Sequence, residues 1–99
     1  MLEVKIFLDA EDMYNGKKMD EYILRYLMHH HVRGATTFLG SMGYGAHHHL
    51  NEPRHIGASD ALPVMIMFVD EESRVQHILP HLKEVVGDGM IVTHKVDRI

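Results

Sequence analysis

The stretch Gly40-Ser41-Met42-Gly43-Tyr44-Gly45-Ala46-His47-His48-His49 concentrates the residue types best suited to gripping a charged ligand. Closely spaced glycines permit positive φ and leave backbone N–H groups uncovered, which lets a loop cradle an anion. The imidazoles beside them can bind Zn, Cu or Ni, or change charge near neutral pH. In an extended loop His47 and His49 face the same way, so His47, His48, His49 and nearby His55 form the candidate metal set. The plainer reading is polar filler in a long mobile hairpin, and loop statistics alone favour it. The order of elements around the loop argues for function.

Other candidates carry plainer explanations. His77 and His81 have i, i+4 metal-ligand spacing, but they lie off the apolar stripe beside Arg74 and Glu84, as on a solvated helix face. His29, His30 and His31 end a helix, where cations suit the macrodipole, and adjacent helical residues cannot share one metal. The Glu11-Asp12 pair lacks a nucleophile or an apolar cleft beside it, so a turn is expected there rather than acid–base chemistry. Tyr14 and Asn15 suit either a cleft lining or packing. The eight methionines suit core and interface filling. No set of residues marks an enzyme.

Ninety-nine residues make one domain, spanning 1–99. Ten basic against fourteen acidic residues give a net charge of −4, so no broad basic field exists for nucleic acid and any phosphate site must be local. The chain has no cysteine, which excludes a disulfide framework, a thiolate metal site and a thiol nucleophile. Neither a signal peptide nor a membrane-long apolar run is evident, and a cytoplasmic, non-embedded protein is expected.

The elements that must position these residues follow from periodicity. Leu2, Val4, Ile6 and Leu8 alternate with Glu3, Lys5, Phe7 and Asp9, which predicts a strand with one buried face. Asn15-Gly16 is a turn signal. From Lys17 to Val32, Met19, Tyr22, Ile23, Tyr26, Leu27 and His30 recur at helical spacing, with Gly34 expected as the left-handed residue closing the helix after Arg33. Ala35 to Leu39 predicts a second strand. Val64 to Val69 is apolar at both parities and predicts a third, opened by Pro63 and buried on both faces. Asp70 is placed to N-cap a second helix with an inner stripe of Val75, Ile78, Leu79, Leu82, Val85 and Val86, kinked at Pro80. Gly87-Asp88-Gly89 ends it, and Met90 to Val96 predicts the last strand.

The order βαββαβ implies an α+β, ferredoxin-like antiparallel sheet with both helices on one face and strands one and three in the middle. The third strand's second apolar face then has no helix to cover it, which predicts a homo-oligomer packed through its sheet faces.

Asp9-Ala10-Glu11-Asp12-Met13-Tyr14-Asn15-Gly16-Lys17, Gly34-Ala35-Thr36, Gly40 to Ala46, Ser59-Asp60-Ala61-Leu62-Pro63-Val64 and Leu79-Pro80 together resemble the PII-like domain-of-unknown-function family one-ninety, almost end to end. His47-His48-His49 and Asn51-Glu52-Pro53 depart from its pattern. The resemblance implies the fold of PII signalling proteins and CutA, a homotrimer, and ligand clefts between subunits. Gly43-Tyr44-Gly45-Ala46-His47 is similar to the base of the PII T-loop, with His47 where a glutamine is expected. Gly87-Asp88-Gly89-Met90-Ile91 is similar to the PII B-loop, with Met90 in place of its lysine. On this likeness Gly43, Tyr44, Gly45, His47, Gly87, Asp88, Gly89 and Arg98 are the expected contacts of a nucleotide-type ligand such as AMP or ADP. Arg98 would supply the missing cation. The implied role is ligand-sensing regulation, with loop 40–60 contacting a transporter or other protein. The alternatives are a CutA-like metal-binding trimer and a ligand-free scaffold.

Overall fold

Alternating apolar residues make β1, Leu2–Asp9, the strand on which the domain is built. The computed structural model describes residues 1–44 and 62–99. A two-residue hairpin follows, β2 (Met13–Tyr14) against β3 (Lys17–Lys18). Its turn places Asn15 at φ 50° and Gly16 at φ 77°, the paired positive values that an Asn-Gly hairpin turn requires. The helix α1 is therefore shorter than predicted, Met19–His29, because Lys17 and Lys18 are spent on the hairpin. Next come β4 (Ala35–Leu39), β5 (Pro63–Asp70), α2 (Glu72–Val86) and β6 (Met90–Lys95).

The main sheet has four strands in the order β4-β5-β1-β6, each paired antiparallel with its neighbour, with β5 and β1 in the middle as expected. Pro63 opens a central strand, a position that spares the ladder an absent donor. On one face Val4, Ile6, Ile66 and Phe68 lie under the helices with Ile23, Leu27, Val75, Ile78 and Leu82. Five α2 side chains are buried, Val75, Ile78, Leu82, Val85 and Val86. At roughly 1.5–3 kcal/mol each they outweigh the ~3 kcal/mol penalty of an interior proline, and the helix runs on through Pro80.

The opposite face is apolar but uncovered in the single chain. Register places Phe38, Met65, Phe7 and Met90 in one row across all four strands. The expectation that β5 is buried on both faces holds for only one of them: Val64, Ile66 and Phe68 are buried, whereas Met65 and Met67 are half-buried and Val69 is exposed.

Two sequence-based assignments of helix ends are corrected. The left-handed residue closing α1 is His31, at φ 64°, and not Gly34. Val32 N–H donates to the Leu27 carbonyl (3.1 Å) and His31 N–H to that of Met28 (3.2 Å), a Schellman motif completed by Val32 packing on the core. Likewise the residue at the N-cap of α2 is Glu71, and Asp70 lies just outside the helix. The Asp70 carboxylate is fully buried and accepts from Arg33 N–H (3.0 Å), Glu71 N–H (2.7 Å) and the Arg74 guanidinium (2.7 Å). Burial alone would raise its pKa. The Glu71 and Arg33 amides, with the bond and charge of Arg74, outweigh that and hold it below the ordinary carboxylate value.

Candidate functional site

The far end of the sheet from Asp70 opens into a cleft of about 700 Å³, within the range of small-molecule sites. The chain reaches it from five places. β1 supplies Phe7, Leu8 and Asp9, and Asp12 follows from the turn after it. α1 contributes Met19, and β5 contributes Pro63 and Val64. Val85 and Val86 come from the last turn of α2, and the Gly87-Asp88-Gly89 turn leads into Met90. Tyr44 adds to the lining.

The two glycine-bearing stretches converge here for local reasons. Gly87 takes φ 58°, and its N–H donates to the Lys83 carbonyl (3.1 Å), so the chain leaves α2 in a conformation that side chains disfavour. At Gly89 a Cβ would stand 2.6 Å from Val86 Cγ1 and 2.8 Å from the Phe7 carbonyl oxygen, so only glycine lets the turn lie flat on β1. Gly89 N–H donates to the Val86 carbonyl (3.1 Å). On the other side Gly40 N–H donates to the Pro63 carbonyl (2.7 Å), and Gly40 and Gly43 press against the Pro63 ring. That contact fixes the approach of Tyr44. The Glu11-Asp12 turn forms as expected: Asp12 Oδ2 accepts from Asp9 N–H (2.9 Å), which brings both aspartates to the cleft.

The cleft thus unites Tyr44 with Gly87, Asp88 and Gly89, while Gly43 stands behind it on Pro63. Arg98 is not brought to it. Met90 pairs with Phe7 and Lys95 with Leu2, so β6 carries the chain roughly 17 Å away before Arg98 is reached. A subunit's own Arg98 therefore cannot replace the lysine absent at Met90. Gly45, His47, His48, His49 and His55 lie outside the described residues. Among the described residues no group of three His, Cys, Asp or Glu side chains is poised to hold a metal.

The model of domain-of-unknown-function family one-ninety, described as "Uncharacterized ACR", matches residues 1–98. The chain belongs to this family. It is 34% identical over 90 residues to a UPF0166 protein of Methanocaldococcus jannaschii, covering 90% of this chain and 82% of that one. It is 26% identical over 96 residues to a UPF0166 protein of Aquifex aeolicus, covering 97% and 90%. Two solved structures share its fold. One is the nitrogen regulatory PII-like protein CPII from Thiomonas intermedia K12, bound to ADP, AMP and bicarbonate, with TM-score 0.66, 19% identity, and 99% and 93% of the two chains covered. The other is a CutA1 variant from Pyrococcus horikoshii OT3, with TM-score 0.66, 14% identity, and 100% and 86% covered. The fold is the ferredoxin-like one of PII and CutA proteins. No helix among the described residues is long and apolar enough to cross a membrane.

In this family member the outer face of the helices carries a cluster that sequence spacing did not expose. His81, expected on a solvated face, is half-buried; its Nε2 lies 2.8 Å from the Tyr22 hydroxyl and its ring 4.7 Å from that of Tyr26. Tyr14 packs on Tyr22 at 4.8 Å, and neither Tyr14 nor Asn15 lines the cleft. Burial raises the Tyr14 hydroxyl's pKa, with smaller contributions from the charges of Glu84 and Tyr22; burial first, then Tyr22, does the same at Tyr26. His77 is exposed, so the i, i+4 pair splits between two environments. The signal was present in Tyr22 and Tyr26 on α1, one helical turn apart, but which residues of α2 they meet is set by packing.

Proposed function

We propose that this protein is a homotrimeric, non-enzymatic sensor that binds a nucleotide-type small molecule at the sheet-end cleft and reports occupancy to a partner protein. One observation carries the reading: Tyr44 and Gly87–Gly89, far apart in the sequence, line one largely apolar cleft. The PII-like neighbour bound to ADP and AMP supports the ligand class. Tyr44 is also the root of segment 45–61, so a ligand that fixes Tyr44 fixes the start of the chain stretch that would meet a partner.

The trimer is supported by the row Phe38, Met65, Phe7 and Met90, an apolar strip that a lone subunit leaves to water. Packing that face against neighbours brings other subunits toward the cleft, whose Phe7 and Met90 belong to both surfaces. A cytoplasmic location fits this role.

Calorimetry against AMP, ADP, ATP and cyclic nucleotides tests the ligand class, and light scattering at micromolar protein tests the assembly. Heat of binding with at least one nucleotide and a mass of three chains are expected. A monodisperse monomer that binds none of them would refute the reading.

A further inference from the structure

Resting on the trimer reading, we propose that the assembly through the open sheet face is taken apart by acid, and that protonation of His94 is what opens it. The apolar row Phe38, Met65, Phe7 and Met90 occupies only the cleft end of that face. The next row holds Thr36, Met67, Lys5 and Val92, and a third holds Val69, Glu3 and His94. Alternation by two puts all three rows on the same side of the sheet, with Glu3 roughly 13 Å from Phe7 along β1. A specific interface takes about 800 Å² from each partner, a patch wider than that distance. Packing the apolar end against other copies of this chain therefore draws Glu3, Lys5 and His94 into the contact.

The charges there are gathered on one oxygen. Glu3 Oε1 lies 3.3 Å from Lys5 Nζ and 3.9 Å from His94 Nδ1. The strand beside His94 on this face is β1, and Glu3 and Lys5 are the charged side chains it presents there. The chain's amino terminus ends the same strand, where the Met1 carbonyl accepts from Val96 N–H (3.0 Å). From β6 itself Met90 and Val92 share the face, and β6 is the edge of the sheet.

With a neutral imidazole these three side chains balance, one carboxylate against one ammonium. A protonated His94 adds a positive charge beside a carboxylate oxygen that Lys5 already approaches. In a free subunit that charge stays hydrated, since 61% of the His94 side chain is exposed. Pressed against a neighbouring sheet it loses water, and each copy brings the same excess charge to the contact. The free subunit therefore takes the proton more readily than the assembled one. Linkage then fixes the sign: assembly is favoured above the range in which imidazole titrates and is lost as pH falls through it.

The test is sedimentation equilibrium of the full chain at constant ionic strength, at about pH 7.5 and about pH 5.5, with circular dichroism at both. The wild type is expected to have the mass of three chains at the higher pH. At the lower pH its association constant should fall at least about tenfold while the dichroism stays unchanged. His94→Gln keeps a polar side chain that takes no proton, and it should remain three chains at both. Glu3→Gln leaves the Lys5 charge in excess, and it should assemble at least about tenfold less tightly at the higher pH already. Equal association of the wild type at the two pH values would overturn the proposal and leave the trimer standing. The same acid loss in His94→Gln would overturn the role of His94, as would a folded His94→Gln that fails to assemble at the higher pH. Assembly of Glu3→Gln as tight as the wild type would overturn the charge argument. Acid loss of the helical signal along with the mass would make the effect unfolding and overturn it too. A wild type that is a single chain at both pH values would instead remove the trimer reading itself.

Discussion

The two ends of the sheet hold the same residue type in opposite circumstances. At one end Asp70 is wholly buried and its two oxygens take three hydrogen bonds, from Arg33, Glu71 and Arg74. At the other, Asp88 is exposed beside an open cleft, with no hydrogen-bond donor to it among the described residues. The first carboxylate is finished within the chain: it joins the loop after α1 to the start of α2. The second is left open to solvent. Position in a fold, not residue type, decides whether a carboxylate is enclosed by donors or left open at a cleft.

The largest effect that would sharpen this contrast is at the closed end. Asp70→Ala leaves the Arg33 and Glu71 amides without their acceptor and Arg74 without its partner, and about 3 kcal/mol of stability should be lost. Urea denaturation at fixed protein concentration measures it, and Asp70→Asn should lose less because the amide oxygen still accepts. The pH dependence has a definite sign. Because folding lowers the Asp70 pKa, its contribution is complete above the unfolded value of about 3.9 and is lost as pH falls through the folded value. Asp70→Asn should remove that acid-side loss. By contrast Asp88→Asn should leave the denaturation midpoint within about 0.5 kcal/mol of the wild type. Equal losses at the two sites would erase the distinction.

An intermediate effect is expected at the wall of the open end. Gly89→Ala puts a methyl into the space of Val86 Cγ1 and the Phe7 carbonyl. The backbone oxygen cannot give way, so the turn must lift from β1 at a cost of about 1–3 kcal/mol. The same movement displaces Val86 and Met90, so the variant should also lose ligand-induced thermal stabilisation. Loss of stability with ligand response intact would show that the turn is only a structural joint.

What the sequence reveals about these ends differs in kind. The strands and their order were legible because alternation in Leu2–Asp9 and the apolar run after Pro63 determine which faces are buried. The Gly87-Asp88-Gly89 turn was legible because glycine there answers a local demand, a positive φ at Gly87 and a close approach at Gly89. Tertiary partners were not. Nothing near Asp70 in the chain announces Arg33, whose amide arrives from 37 residues away. Arg98 looked available as a cation because sequence gives no distance, and strand register carries it to the opposite end. His81 looked solvated because its own helix sets it off the stripe, while Tyr22 and Tyr26 of the other helix enclose it.

The closed end also retains strain that carries no evident function, and the smallest prediction concerns it. His31 occupies the left-handed position that ends α1, where an L side chain costs roughly 1–2 kcal/mol and glycine costs none. Its side chain is exposed, so little packing is given up by removing it. Glycine would loosen the unfolded chain by about 0.5–1 kcal/mol, which offsets part of the gain. His31→Gly should therefore stabilise the protein by about 0.5–1 kcal/mol, seen as a raised urea midpoint. A lowered midpoint would mean that the His31 side chain makes a contact worth more than its backbone strain, and the closed end would then have an exposed binding group of its own.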